Sequence, residues 1–215
     1  MILTGSCKTA IPNTATNPYY NYLNNVVAKA ESPKDTNGKK TYTGVHNGYN
    51  VSGITLTTPM LYSVNYYDDY LYLGKHGITD GGYTTPEAGY ADKYDNAKGL
   101  LTGTLTAQML SGGALSTTYL YSVMYYDNRG RVIQTKSNNH LSGGKETEYI
   151  AYNFVGQPTK KKHVHTATGK TTQTEIYDYV YDHAGRSTET KHNGVIIASN
   201  TYDELGRLQE NNKGG

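Results

Sequence analysis

The chain has 215 residues and a net charge of +2, and charged residues make up 18% of it, below the roughly 25% usual for globular proteins. Acids and bases are interspersed, so neither nucleic acid nor an anionic membrane is implied as a partner. The single Cys7 excludes an internal disulfide and a cysteine-based zinc site, and no apolar run approaches the ~18 residues of a membrane span.

Met1-Ile2-Leu3 runs straight into Thr4-Gly5-Ser6, which is not a secretory signal. Ile2 to Gly5 reads as a strand entered from a turn that has been cut away, so the chain is expected to be a piece of a longer protein. Residues 9–17 are a loop rich in Thr, Asn and Pro. Asn17-Pro18 predicts the cap of one short N-terminal helix, an optional element, with Tyr19, Tyr22, Leu23, Val26, Val27 and Ala30 on one face. Asp35-Thr36-Asn37-Gly38 predicts a turn into a strand from Lys39 to Thr43. Asn47-Gly48 predicts another, into a strand from Tyr49 to Thr58.

From Leu61 the sequence repeats itself. Leu61 to Asp68 matches Leu120 to Asp127 at seven of eight positions. Residues 74–93 read as a Gly-rich surface excursion, and Tyr94 to Leu100 as an irregular copy of a pattern that becomes clear further on. That pattern is Tyr126-Asp127-Asn128-Arg129-Gly130-Arg131, then Tyr181-Asp182-His183-Ala184-Gly185-Arg186, then Tyr202-Asp203-Glu204-Leu205-Gly206-Arg207. Between the first two lies a softened copy, Tyr152-Asn153-Phe154-Val155-Gly156-Gln157.

Asp first and Gly fourth predict a type I turn whose last residue is left-handed. The Asp side chain caps it, and Gly takes positive φ without a Cβ penalty. Such a loop closes a β-hairpin with a bulge at Gly. The last unit fits this reading throughout: Arg186 to His192 as a strand, Asn193-Gly194 as a tight turn, and Val195 to Tyr202 as the returning strand. Gly112-Gly113, Gly143-Gly144 and Thr168-Gly169 are expected to supply the opposite turns. The pattern's Tyr positions are 67, 94, 126, 152, 181 and 202. Their unequal spacing implies hairpins of different length on a common turn.

The expected fold is therefore all-β: antiparallel β-hairpin repeats forming a long, twisted and curved sheet. Residues 1–60 are a degenerate N-terminal region and residues 61–215 the regular one. Tyr, with 23 copies against one Phe and no Trp, suits such a sheet because its ring is apolar and its hydroxyl can stay wet. Alternation places Tyr177, Tyr179 and Tyr181 on one face, and Tyr119, Tyr121 and Tyr125 likewise.

Asp127, Asp182 and Asp203 invite comparison with paired catalytic carboxylates. Each already has a complete role in its turn, and Asn153 fills that role without charge. Arg131, Arg186 and Arg207 are expected to pair with nearby carboxylates or to cover Tyr rings. His163 and His165 point to one face of a strand but lack a nearby acidic third ligand, so exposed strand histidines are the better reading. Lys160-Lys161-Lys162 reads as a solvated strand or an edge guard. No nucleophile elbow, dinucleotide loop or phosphate loop occurs. No enzyme and no cofactor are expected.

Tyr126 to Val132 and Tyr202 to Leu208 resemble the YD repeats of the bacterial Rhs family, whose hallmark is Tyr-Asp-x-x-Gly-Arg followed by an apolar residue. The same repeat occurs in toxin-complex proteins and teneurins. The resemblance is specific over residues 61–215. It implies a β-strip that winds into a hollow shell around a toxic or effector segment, in a protein exported or held at the cell envelope. The implied partners are then the remainder of the same polypeptide, with further repeats, a core and a C-terminal cargo. The alternative is a module that binds glycans or cell surfaces through exposed Tyr and Asn. Open strand edges also predict edge-to-edge self-association.

Overall fold

The structure, a computed structural model, describes residues 3–8, 29–53 and 56–214. The described residues are all-β. The strands are β1 (Leu3–Lys8), β2 (Lys29–Glu31), β3 (Asn50–Ser52), β4 (Thr57–Asp68), β5 (Ala97–Met109), β6 (Leu115–Tyr126) and β7 (Val132–Asn138). They continue as β8 (Lys145–Tyr152), β9 (Pro158–Thr166), β10 (Gln173–Tyr181), β11 (Ser187–His192), β12 (Val195–Tyr202) and β13 (Leu208–Lys213). Eleven of them follow one another in the hydrogen-bonded order β1-β4-β5-β6-β7-β8-β9-β10-β11-β12-β13, while β2 and β3 pair separately. No helix among the described residues is long and apolar enough to cross a membrane.

The predicted helix falls outside the described residues except at its end, where Ala30 lies in β2. Two predicted strands are shorter than expected. Lys39 to Thr43 contributes only an isolated bridge, Lys34 to Lys40, and the stretch from Tyr49 leaves strand geometry at Gly53, just after β3, and holds it again from Thr57, where β4 begins. Tyr42 explains the first difference. Its φ is 49°, which turns the chain out of strand geometry and accompanies burial of its ring.

Two compact units divide the chain. One holds residues 1–82 and 96–123, the other residues 83–95 and 124–215. In the first, an aromatic cluster stands where an aliphatic core is usual. Tyr66 and Tyr72 stack with ring centres 4.2 Å apart, and Tyr42 meets Tyr49, Tyr66 and Tyr72 edge-on at 5.5 to 5.9 Å. Each ring is buried and each hydroxyl is matched. Tyr49 donates to the Asn65 carbonyl at 2.8 Å, Tyr66 to Asn47 at 2.9 Å, and Tyr72 to Thr102 at 2.6 Å. Burial raises the phenol pKa of Tyr42, Tyr49 and Tyr66 well above the ordinary value. These rings serve as hydrocarbon whose one polar atom is satisfied by backbone. Gly103 makes room for them: a Cβ there would lie 2.4 Å from the Tyr72 hydroxyl.

The second unit is the run of hairpins from β7 to β13. The segment 83–95, most of which belongs to the expected surface excursion, forms no strand and is largely exposed, and its contacts lie in this unit. Thr84 donates its N–H to Gln134 Oε1 at 3.1 Å and receives Gln134 Nε2 on its carbonyl at 2.8 Å. The buried amide of Gln134 thus does for Thr84 what a neighbouring strand would do. Glu87 pairs with Lys162, the Tyr90 ring lies 5.8 Å from that of Tyr149, and the Tyr94 N–H reaches the Tyr126 carbonyl at 2.7 Å. The stretch from Tyr94 does not close as a further copy of the turn, because Ala97 to Leu100 already belong to β5.

Candidate functional site

The repeated turns are built alike, and their construction follows from four residues. In the first turn, Asp127 Oδ1 accepts the N–H groups of Arg129 and Arg131 at 2.8 and 3.0 Å. Its Oδ2 accepts Arg131 Nε at 2.7 Å. Asp182 repeats this with Ala184 and Arg186, and Asp203 with Leu205 and Arg207. The Gly130, Gly156, Gly185 and Gly206 N–H groups each donate to the carbonyl of the first turn residue, at 2.9 to 3.1 Å. All four glycines have φ between 73° and 96°, as a left-handed turn exit requires.

The softened turn keeps the geometry with amides. Asn153 Oδ1 accepts the Gln157 N–H at 2.9 Å, and Asn153 Nδ2 donates to Gln157 Oε1 at 2.8 Å. Asp and Arg have been exchanged together for Asn and Gln, and the side-chain bond between them survives without charge. The charged versions hold their carboxylates ionised. Burial opposes charge on Asp127, but the Arg131 N–H and guanidinium outweigh it and lower the pKa. The Arg186 N–H does the same for Asp182, and the Arg207 N–H for Asp203.

The first three turns also grip the next hairpin. The Arg131 guanidinium lies 4.7 Å from the centre of the Tyr152 ring, and its Nη1 donates to the Asn153 carbonyl at 3.1 Å. Arg186 lies over Tyr202 at 4.5 Å. Gln157 Nε2 reaches forward to the Gly185 carbonyl at 2.6 Å. In the reverse direction, each Tyr hydroxyl donates to the carbonyl just past the preceding turn. Tyr152 reaches Val132 at 2.8 Å, Tyr181 reaches Pro158 at 2.9 Å, and Tyr202 reaches Ser187 at 2.9 Å. Arg207, in the last turn, bonds Asp203 and stays 75% exposed, against 25% for Arg131 and 28% for Arg186.

This row therefore brings together Asp127, Arg131, Tyr152 and Gly156, and separately Asp182, Gly185, Arg186, Tyr202 and Gly206, in contacts that interlock. Tyr126 and Tyr181 end the strands that enter the first and third turns. The row can hold rings, carbonyls and planar cations; each carboxylate is already engaged with its own Arg.

Sequence reasoning missed a second group. His163 Nε2 and His165 Nδ1 sit 2.8 and 2.6 Å from the two oxygens of Glu146, one of which also accepts Asn139 Nδ2 at 2.7 Å. These histidines are half-buried and paired, not exposed. The acidic neighbour comes from β8 by strand pairing, with Glu146 opposite His165, so spacing along β9 could not announce it. Among the described residues no group of His, Cys, Asp or Glu is arranged to hold a metal ion. The lysine triplet is likewise not an edge guard, since β9 lies between β8 and β10. Lys161 pairs with Glu148 at 2.6 Å, Lys162 pairs with Glu87, and Lys160 lies 6.0 Å from the Tyr90 ring centre.

Comparison with protein-family models and with curated protein sequences finds no match to this chain.

Proposed function

We propose that the chain is a non-enzymatic structural module, a stretch of wall or scaffold in a large exported or envelope-held protein of the Rhs YD-repeat type. The observation that supports this reading is the fate of the repeat residues. Asp127, Asp182 and Asp203 are spent on their own turns, and Arg131 and Arg186 on the Tyr of the following hairpin. Residues repeated for chemistry on a substrate would keep reactive atoms open to a cleft; these use theirs to fasten one hairpin to the next. The partners of such a module are further repeats and a cargo segment of the same polypeptide.

The test is to raise an antibody against the chain, recover the native polypeptide from its cells, and map it by mass spectrometry. The expected product is much larger than 23.6 kDa, carries further Tyr-Asp-x-x-Gly-Arg repeats, and partitions to the medium or the envelope. A cytosolic product of the size of this chain overturns the proposal. So does a glycan array on which the chain binds strongly and loses binding when exposed Tyr residues are replaced.

A further inference from the structure

The middle step of the ladder differs from its neighbours in one respect. At the first and third steps a guanidinium covers the Tyr of the next hairpin, Arg131 over Tyr152 and Arg186 over Tyr202. At the middle step the residue in that position is Gln157, whose shorter amide is held between Asn153 and the Gly185 carbonyl. Among the described residues no cation lies over the Tyr181 ring. A groove of about 600 Å³ opens there, lined by Asn153, Gln157, Thr159, Tyr179, Tyr181 and Asp182 among others.

We propose that this groove binds the guanidinium group of an arginine side chain supplied by another molecule, such as an arginine-bearing peptide. Three features carry it. First, the ladder itself holds a guanidinium over the equivalent ring twice, and at the first step on the following carbonyl as well, so ring and spacing suit that group. Second, the Asn153–Gln157 pair is uncharged, so this turn contributes no cation of its own to repel an incoming one. Third, a guanidinium already coexists with a neighbouring Asp–Arg turn. Arg186 lies beside the Asp203–Arg207 pair and helps to hold Asp203 ionised, after the larger effects of the Arg207 N–H and side chain. An arginine over Tyr181 would stand in the same relation to Asp182 and Arg186. The carbonyl corresponding to the Arg131 acceptor at Asn153 is that of Asp182, which receives the Gly185 N–H at 3.0 Å and has capacity for a second donor. The planar fork of arginine fits a ring face and a carbonyl together, as a lysine ammonium does not. The proposal is independent of the function proposed for the chain as a whole.

The experiment is an NMR titration of the full chain, reading the ring signals of Tyr181 and the backbone amide signals of Asp182 and Gly185, which line the same groove, with N-acetyl-arginine amide, its lysine counterpart and a glucose oligosaccharide as probes. Arginine amide is expected to give saturable shifts at Tyr181, and the lysine analogue to bind at least about threefold more weakly. The double variant Asn153→Asp/Gln157→Arg places the chain's own guanidinium in the groove and is expected to abolish the response. Tyr181→Leu, which keeps an apolar side chain without a π face, is expected to weaken binding read at the Asp182 and Gly185 amides at least about threefold and decides the matter if the double variant does not fold. Shifts that are absent, that are equal for lysine, or that persist unchanged in either variant overturn the proposal. A response to the oligosaccharide without one to arginine amide overturns it in favour of a sugar site.

Discussion

Arg131 and Tyr152 hold each other from both ends. The guanidinium lies 4.7 Å from the ring centre, and the Tyr152 hydroxyl donates at 2.8 Å to the carbonyl of Val132, the residue that follows Arg131. Neither contact needs the rest of the chain once two neighbouring hairpins exist, and Arg186 with Tyr202 repeats both.

Replacing Arg131 by Ala removes the cover of Tyr152 and strands the largely buried Asp127 carboxylate. The expected cost is about 1–2 kcal/mol in urea unfolding. Arg131→Lys restores only part of it, because an ammonium cannot serve Asp127 and the ring as a planar fork does. A double-mutant cycle with Tyr152→Leu should give a coupling of about 0.5–1 kcal/mol. Additive single effects would show that the stacking carries no energy.

Gly206 is constrained twice. Its φ is 80°, and an added Cβ would stand 2.8 Å from Arg186 Nη1. Gly169, with φ 70°, has open space around the same position. Gly169→Ala should therefore cost about 1–2 kcal/mol from backbone strain alone. Gly206→Ala should cost measurably more, because it also lifts Arg186 off Tyr202. Equal shifts in thermal midpoint for the two variants would refute the second constraint.

Gly103 is demanded by packing rather than by φ. A Cβ there would meet the Tyr72 hydroxyl and ring at 2.4 to 2.8 Å, pushing Tyr72 off the Thr102 carbonyl and out of its stack with Tyr66. Gly103→Ala is expected to destabilise by about 1–3 kcal/mol. Near-ultraviolet circular dichroism, dominated by tyrosine in this chain, should lose intensity with it.

Acid should loosen the ladder in a defined window. An unfolded Asp titrates near 3.9, and the folded Asp127 carboxyl is held below that, burial opposing and the Arg131 N–H and guanidinium prevailing. The stabilisation is thus fully present above about pH 4 and is lost as pH falls through the folded pKa. The variant Asp127→Asn/Arg131→Gln, which copies the Asn153–Gln157 pair, should show a flatter decline in urea midpoint between pH 5 and pH 2. An unchanged slope would mean that Asp127 is not among the groups whose protonation destabilises the fold.

The turns were legible in the sequence because everything that makes them lies within five residues: Asp caps, Gly turns, Arg answers Asp. Asn193-Gly194 was legible for the same reason, with φ values of 49° and 82°. The contacts from one turn to the next were only half legible. That Arg131 covers a Tyr could be expected, but which Tyr depends on strand pairing across 21 residues. Glu146 beside His163 and His165, and Thr84 on Gln134, depend on partners 17 to 50 residues away and leave no local trace. Tyr42 was misread as part of a strand because nothing nearby signals its positive φ. Its conformation accompanies the burial of its ring among Tyr49, Tyr66 and Tyr72.

In the second unit the repeated fastenings sit at the Asp-and-Arg ends of the strands, whereas the opposite ends are joined by individual contacts that do not repeat, such as the Thr168 N–H on the Ser142 carbonyl at 2.9 Å and the Asn193 N–H on the Ile176 carbonyl at 2.7 Å. The turns around Gly143, Gly169 and Gly194 share no common sequence, and the strands leading to them range from six to nine residues. A segment inserted between Asn193 and Gly194 leaves Arg186 on Tyr202, whereas one inserted between His183 and Ala184 parts Asp182 from Arg186 and unfastens the row. New loops, and whatever recognition they bring, can thus be accepted along one margin of this unit while the other stays fixed.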